Sequence, residues 1–214
     1  MMIKQITILT FLSFALVGLA GCVTTTDYKK SLQTANTCCS QLSDVKYKKL
    51  EYNKAASKAL GEEGDKARLF KSGKSFYFPV ELPSYEGAFE IQIESTPVNN
   101  KIFIPRIALL DSKHRTIKRI SSSSFVMMNG AAKHKFFVNK DLSYRYMVLY
   151  TSPADLGKTG KRIQDTSQAT PIFAGGYIFY YTHGADTTST ITSAEGGKLS
   201  VKILKYAPVK IGGN

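Results

Sequence analysis

The segment AFEIQIES, residues 88–95, alternates apolar and polar side chains. Since successive side chains of a β-strand point to opposite faces of the sheet, this alternation predicts a strand with one buried face and one solvated face. Similar segments recur between turn-forming residues, and no long segment has the period of a helix. The predicted strands are 75–82, 88–95, 102–110, 116–120, 125–128, 134–139, 144–151, 176–183 and 198–205.

Short strands without a long helical pattern predict a mainly β fold. We expect an antiparallel β-sandwich, jelly-roll or Greek-key-like, with a short irregular or helical N-terminal segment. Pro79 and Pro105 fall inside predicted strands and should lie at edges or bulges, because proline has no N–H to donate to a neighbouring strand.

Three segments lack a clear strand pattern. NKAASKAL, residues 53–60, favours a turn or two of helix by propensity. SPADLGKTGKRIQDTSQAT, residues 152–170, and GADTTSTITSAEGG, residues 184–197, are polar and predict long loops.

The N-terminus MMIKQITILTFLSFALVGLAGC has one early lysine, then an apolar run that ends in small residues, which predicts an export signal. Its end resembles the lipobox of bacterial lipoproteins, in which Cys22 would be acylated; the alternative is an ordinary signal peptide followed by a chance cysteine. The expected organisation is a signal peptide over 1–21, a lipidated tether over 22–37, as a flexible segment or short helix, and one β-sandwich domain over 38–214 with an N-terminal extension over 38–68. Because Val23 replaces the aspartate of inner-membrane sorting, we expect the outer membrane, facing the periplasm.

The formal net charge is +13, spread along the chain as single residues and short clusters. An exported protein does not meet the genome, so a nucleic-acid partner is excluded. The charge either keeps the surface solvated or contacts lipopolysaccharide, phospholipids or an acidic protein.

Besides Cys22, the chain has only two cysteines, the adjacent Cys38 and Cys39. Adjacent Cα atoms are about 3.8 Å apart across a trans peptide, below the usual 4.4–6.8 Å range for a disulfide. Three states remain open: a strained vicinal disulfide with a structural role, two buried thiols, or a redox or intermolecular role.

No catalytic, metal-binding or cofactor-binding motif is found. KSGKS, residues 71–75, lacks the first glycine of a phosphate-binding loop, whose place Arg68 takes, and it leads into a predicted strand. Glu90 and Glu94 lie four positions apart on one strand, about 13 Å by strand geometry, which is too far for the carboxyl pair of a glycosidase. His114, His134 and His183 show no metal-ligand spacing. We therefore expect no enzyme activity and no cofactor.

Aromatic residues concentrate in AGGYIFYYTHGAD, residues 174–186. Tyr177, Phe179 and Tyr181 would share one strand face and are candidate sugar-stacking residues. The alternative is a strand covered on both faces, because Ile178 and Tyr180 on the opposite face are also apolar.

The segments TCCSQL, LFKSGKSFYFPVELP, FIPRIALLDSKHR and YRYMVLYTSP together resemble the maltose-operon periplasmic protein (MalM) family. The resemblance extends from about Asn36 to Lys205. It implies a non-enzymatic periplasmic accessory of carbohydrate transport, of maltose or maltodextrin in the best-known members, which binds either the sugar or a porin or transporter component. The alternative is a structural or interaction lipoprotein that contacts an outer-membrane pore, lipopolysaccharide or peptidoglycan.

Overall fold

The computed structural model describes residues 27–84, 87–139, 143–164, 168–174, 177–183 and 187–205, and from 162 to 187 it describes only the backbone of the strands. In these ranges the fold is mainly β, with antiparallel sheets and one short α-helix, as the alternating sequence predicts. No helix in the described ranges has the length and apolar character needed to cross a membrane.

Helix α1 spans Tyr28–Thr34, and short 3-10 helices span Leu42–Asp44, Ser122–Ser124 and Pro153–Asp155. The strands in chain order are β1 (Lys48–Lys49), β2 (Ala55–Leu60), β3 (Ala67–Phe70), β4 (Gly73–Glu81), β5 (Phe89–Thr96), β6 (Lys101–Ile102), β7 (Arg106–Leu110), β8 (Thr116–Ile120), β9 (Val126–Met128), β10 (Ala131–Val138), β11 (Tyr146–Tyr150), β12 (Thr159–Gln164), β13 (Gln168–Ala174), β14 (Tyr177–His183), β15 (Thr187–Ser193) and β16 (Gly197–Lys205).

Two sheets form the sandwich. The first has the order β1-β4-β11-β7-β8, with β3 beside β4, and the second has the order β2-β16-β5-β10-β9. Pairing is antiparallel except for the short β1–β4 and β15–β6 pairs, which are parallel. The apolar faces of both sheets enclose the main core, whose largest members include Phe76, Phe78, Phe89, Ile91, Ile93, Phe103, Ile107, Leu109, Met147, Leu149, Val201 and Ile203.

The outer face of the first sheet is also apolar, with Tyr77, Leu110, Val148 and Tyr150 buried. Residues 38–47, which we call the strap, pack over this face and bury Val45 against it. The strands of this sheet are therefore apolar on both sides, which explains why β4 and β11 show little alternation.

Helix α1 is fixed to the sandwich by Tyr28, whose ring lies against Gly61 and Gly196. A Cβ on Gly196 would collide with this ring and with the Leu60 carbonyl, so a larger residue would displace the helix. At its other end, the Lys74 ammonium donates to the Ala35 carbonyl at 2.7 Å. Of the two interpretations of this segment, tether or short helix, helix is found over Tyr28–Thr34.

A long hairpin follows β11. β12 pairs with β15, and β13 pairs with β14. The register of the first pairing continues into the second, because Gln164 lies opposite Thr187 and, four positions further along each strand, Gln168 lies opposite His183. The two pairings are thus successive sections of one hairpin. Its base is held by β6 and by Ile191, which is buried with Ile102.

Some predicted elements are wrong. Residues 55–60 form β2 instead of helix, because pairing with β16 outweighs the helix propensity of alanine and lysine. The loops predicted over 152–170 and 184–197 contain the whole of β12 and β15 and the start of β13. Their threonines favour strand, but they lack the apolar alternation on which the prediction relied.

The predicted strand 102–110 is two strands, β6 and β7, separated by a segment that contains Pro105. Pro79 lies inside β4 but is edge-like, as predicted. One side of β4 pairs with β3 as far as Phe76 and with β1 from Val80 onward, so Pro79 falls in the gap between them. Its missing N–H is tolerated there.

Candidate functional site

The outer face of the second sheet carries polar side chains aligned across its strands. Lys133 of β10 lies opposite Glu94 of β5, and Glu94 lies opposite Ser200 of β16. The Lys133 Nζ and Glu94 Oε2 atoms are 3.1 Å apart, and Ser57 Oγ of β2 donates to Ser200 Oγ at 3.2 Å. This row therefore presents an ammonium, a carboxylate and hydroxyls on one continuous surface.

A second polar row lies directly beside the first. Lys135 is opposite Gln92, and Gln92 is opposite Lys202. The Gln92 Nε2 amide donates to Glu90 Oε1 at 2.6 Å, which fixes the orientation of the amide and leaves its oxygen as an acceptor. The row combines an amide with two ammonium groups.

The two rows line a groove of about 670 Å³, within the size range of small-ligand sites. Val126 and Met128 of β9, both exposed, form an apolar border on one side. In the next row along the sheet, Phe137 lies opposite Glu90 and remains 52% exposed. An exposed aromatic ring thus lies on the same face as the polar rows.

The groove is positively charged, since Glu94 offsets only one of the three lysines Lys133, Lys135 and Lys202. Donors and acceptors alternate at strand spacing, so a ligand with several hydroxyl groups could form hydrogen bonds along the groove while an apolar face of that ligand contacts Phe137. The arrangement suits binding of a polyhydroxylated molecule.

His134 lies at the groove wall, between the rings of Phe125 and Phe136. Its Nδ1 atom is 3.0 Å from the Ser124 carbonyl oxygen, and its buried Nε2 atom has no hydrogen-bond partner among the described residues. Burial lowers the pKa of His134, an effect that the Ser124 carbonyl partly opposes. The ring is therefore held neutral near pH 7.

The aromatic residues singled out from the sequence lie on β14. Tyr177, Phe179 and Tyr181 occupy alternate positions of that strand and are opposite Ala174, Ile172 and Thr170 of β13. They share one face of the hairpin by register, and their side chains lie outside the described part of the structure. Their role in stacking remains a prediction.

Cys38 and Cys39 are joined by a disulfide at the start of the strap, with their Cα atoms 3.7 Å apart. Cys39 has a positive φ of 60°, which places the following carbonyls around the buried guanidinium of Arg68. Arg68 donates to the carbonyls of Cys39, Ser40 (2.9 Å) and Gln41 (3.2 Å). The disulfide turn therefore supplies acceptors to a buried cation. Cys22, the predicted acylation site, lies outside the described residues.

Glu90 and Glu94 point to the same solvated face of β5, as alternation predicts. Within the described residues, no three His, Cys, Asp or Glu side chains come together in a way that could hold a metal ion. KSGKS forms the β3–β4 turn and the start of β4, as predicted.

The groove itself was not predicted. Alternation in β5 and in KLSVKILK, residues 198–205, indicates that Gln92, Glu94, Ser200 and Lys202 face solvent. It does not indicate that β16 pairs with β5, because strand order and register involve residues about a hundred positions apart.

The fold and the groove together define a β-sandwich domain in which the outer face of one sheet is open and polar. Residues 72–176 match the family model described as maltose operon periplasmic protein precursor (MalM). The match is narrower than the resemblance: it covers β4 to β13 and does not reach the vicinal cysteines. No curated protein matches the chain significantly, and no solved structure does either.

Proposed function

We propose that this protein is a non-enzymatic, periplasm-facing accessory of carbohydrate transport that binds a neutral oligosaccharide, with maltodextrin as the first candidate, in the groove on the second sheet. The carrying observation is the pair of polar rows through Glu94 and Gln92, with the exposed Phe137 beside them. The match of residues 72–176 to the MalM family model supports the periplasmic and maltose-system context.

The proposal includes an N-terminal lipid anchor. Acylation of Cys22 would hold the domain on the outer membrane, since two or more acyl chains give stable anchoring. At that membrane the domain would pass sugar to, or receive it from, a sugar porin or transporter component. Globomycin treatment tests the anchor: accumulation of the precursor supports it, and an unaffected precursor contradicts it.

Binding without hydrolysis is supported by the chemistry of the groove. Glu90 and Glu94 lie four positions apart on one strand, about 13 Å by strand geometry, whereas paired glycosidase carboxyl groups lie roughly 5 to 9.5 Å apart.

Titration calorimetry of the full chain with maltodextrins at millimolar concentration tests sugar binding. We expect heat of binding in the wild type and a loss of about tenfold or more in affinity in Gln92→Ala and in Phe137→Ala, since each removes a hydrogen-bonding or stacking group. Leu69→Ala is the matched control, because Leu69 is exposed on β3, which belongs to the other sheet.

Two results would redirect or end the proposal. Loss of binding in Phe179→Ala with unchanged Gln92→Ala would place the sugar on the hairpin and not in the groove. No heat with any maltodextrin would remove direct sugar binding. Because the ligand is neutral, affinity should change little with ionic strength, which distinguishes this binding from charge-driven contact with envelope components.

A further inference from the structure

Exposed apolar side chains are concentrated on one side of the sandwich. Among the described residues, most of the exposed large hydrophobic side chains belong to two strands. They are Ile117 of β8, and Val126, Met127 and Met128 of β9. Single exposed apolar residues need no explanation, but a contiguous group of them marks an interaction surface.

The topology brings these two strands to the same side. β8 is the last strand of the first sheet and β9 is the last strand of the second sheet, and only residues 121–125 connect them. Within the described residues, β8 pairs only with β7, and β9 only with β10. We call the surface formed by β8, β9 and their connection the β8–β9 edge.

The segment that carries this surface has only basic ionisable side chains besides histidine, and Lys133 among them is paired with Glu94 of β5. From residue 112 to residue 140 the sequence has no aspartate or glutamate, and its lysines and arginines are Lys113, Arg115, Lys118, Arg119, Lys133, Lys135 and Lys140. Lys113, Lys118 and Arg119 are exposed, whereas Arg115 is paired with Asp111, with Nε–Oδ2 at 2.7 Å. Lys118 and Arg119 therefore lie beside Ile117 on β8, and the connection 121–125 joins this basic strand to the apolar strand β9.

We propose that the β8–β9 edge docks on the surface of an anionic phospholipid bilayer. Methionine, valine and isoleucine side chains can enter the boundary between headgroups and acyl chains, while neighbouring lysine and arginine side chains contact the phosphates. This contact is made by the folded domain, and it is separate from any N-terminal acyl chain.

The charge distribution argues against a second copy of the chain as the occupant. A two-fold symmetric contact would bring Lys118 and Arg119 of one copy near the same residues of the other, and like charges repel across such an interface. An anionic bilayer matches the apolar and the basic components of the edge at once.

The chain has no tryptophan, so one introduced tryptophan is a local reporter of this contact. In the full-length chain we would compare Met128→Trp with Leu69→Trp, which places the same reporter on the exposed β3 position. The probes are vesicles of phosphatidylglycerol and phosphatidylcholine (3:7) and vesicles of phosphatidylcholine alone. We expect a blue shift only for Met128→Trp, only with anionic vesicles, and reversed by salt.

Charge variants test the cations independently of the reporter. Added to Met128→Trp, Lys118→Glu with Arg119→Glu should weaken the vesicle partition by about tenfold or more, whereas Lys48→Glu with Lys49→Glu on β1 should change it by less than about twofold. Circular dichroism checks folding, and Val126→Trp replaces Met128→Trp if that variant does not fold.

The local reporter makes the result independent of how residues 1–26 bind lipid. An equal shift for Leu69→Trp, a shift with neutral vesicles, or equal effects of the two charge-reversed pairs would overturn the proposal. Its outcome is also independent of sugar binding, which is measured without vesicles.

Discussion

Arg106 and Asp155 form an ion pair with two hydrogen bonds: Nε lies 2.5 Å from Oδ2, and Nη2 lies 3.2 Å from Oδ1. The Asp155 side chain is only 8% exposed. The pair links the start of β7 to the 3-10 helix that precedes the hairpin, and Ser193 Oγ at the hairpin base donates to the Asp155 carbonyl at 2.6 Å. The carboxylate of Asp155 thus binds β7, and the backbone carbonyl of the same residue binds the hairpin base.

Asp155→Asn should destabilise the protein by about 2 kcal/mol, because it leaves the Arg106 guanidinium without its charged partner. Urea unfolding followed by circular dichroism measures the effect. Glu51→Gln is the control, since Glu51 and Lys54 form a solvent-exposed pair whose loss should change stability very little. Equal losses in the two variants would contradict the assignment.

The same carboxylate predicts an acid dependence of stability. The hydrogen bond from Arg106 holds the pKa of Asp155 below its usual value. Because the pKa of Asp155 is lower in the folded state than in the unfolded state, its ionised carboxylate stabilises the fold at pH values above the unfolded-state pKa of about 3.9. This stabilisation is lost as the pH falls toward the folded-state pKa. Between pH 5 and 3, the wild type should therefore lose more unfolding free energy than Asp155→Asn, and parallel curves would contradict this.

Local alternation was enough to predict many strands of the sandwich. β5 and β8 follow directly from their side-chain pattern, and the main core consists largely of residues that the pattern assigns to one face. β2 and β15 were missed because their side chains are small or hydroxylated, so that pairing with distant strands decides their structure. The groove was missed for a related reason: Glu94 and Ser200 become neighbours only through strand order.

Arg68 should be essential for the position of the strap. Its guanidinium is buried and donates to three successive carbonyls, those of Cys39, Ser40 and Gln41, and it forms no ion pair within the described residues. Arg68→Ala leaves these acceptors without their donor, so we expect a loss of about 2 kcal/mol and faster tryptic cleavage after Lys46. Lys66→Ala, an exposed neighbour, is the control, and unchanged cleavage in Arg68→Ala would contradict the role.

The disulfide should act on the same segment. If it holds the turn that presents its carbonyls to Arg68, reduction of the wild type will speed tryptic cleavage within the strap. Cys38→Ser should show the fast rate already, with no further response to reductant. Cys22→Ser should behave as the wild type. A redox role independent of folding would instead change ligand binding while leaving the melting temperature and the cleavage rate unaltered.

His134 should make the free energy of unfolding depend on pH, in a pH range higher than the range in which the carboxylates titrate. Burial lowers the pKa of this ring below its unfolded value of about 6.5, so the unfolded state binds the proton first as the pH falls. The neutral ring contributes stability at pH 7, and that contribution decreases from about pH 6.5 toward the lower folded value. His134→Phe should remove this loss between pH 7 and 5, because phenylalanine fits between Phe125 and Phe136 without titrating.

Urea unfolding at half-unit pH steps measures the His134 effect. Phe136→Leu is the matched control, because it replaces the ring next to His134 but keeps the titrating histidine. It should lower the free energy of unfolding at every pH and leave the dependence of that free energy on pH unchanged. An unchanged slope in His134→Phe would show that another group titrates in this window.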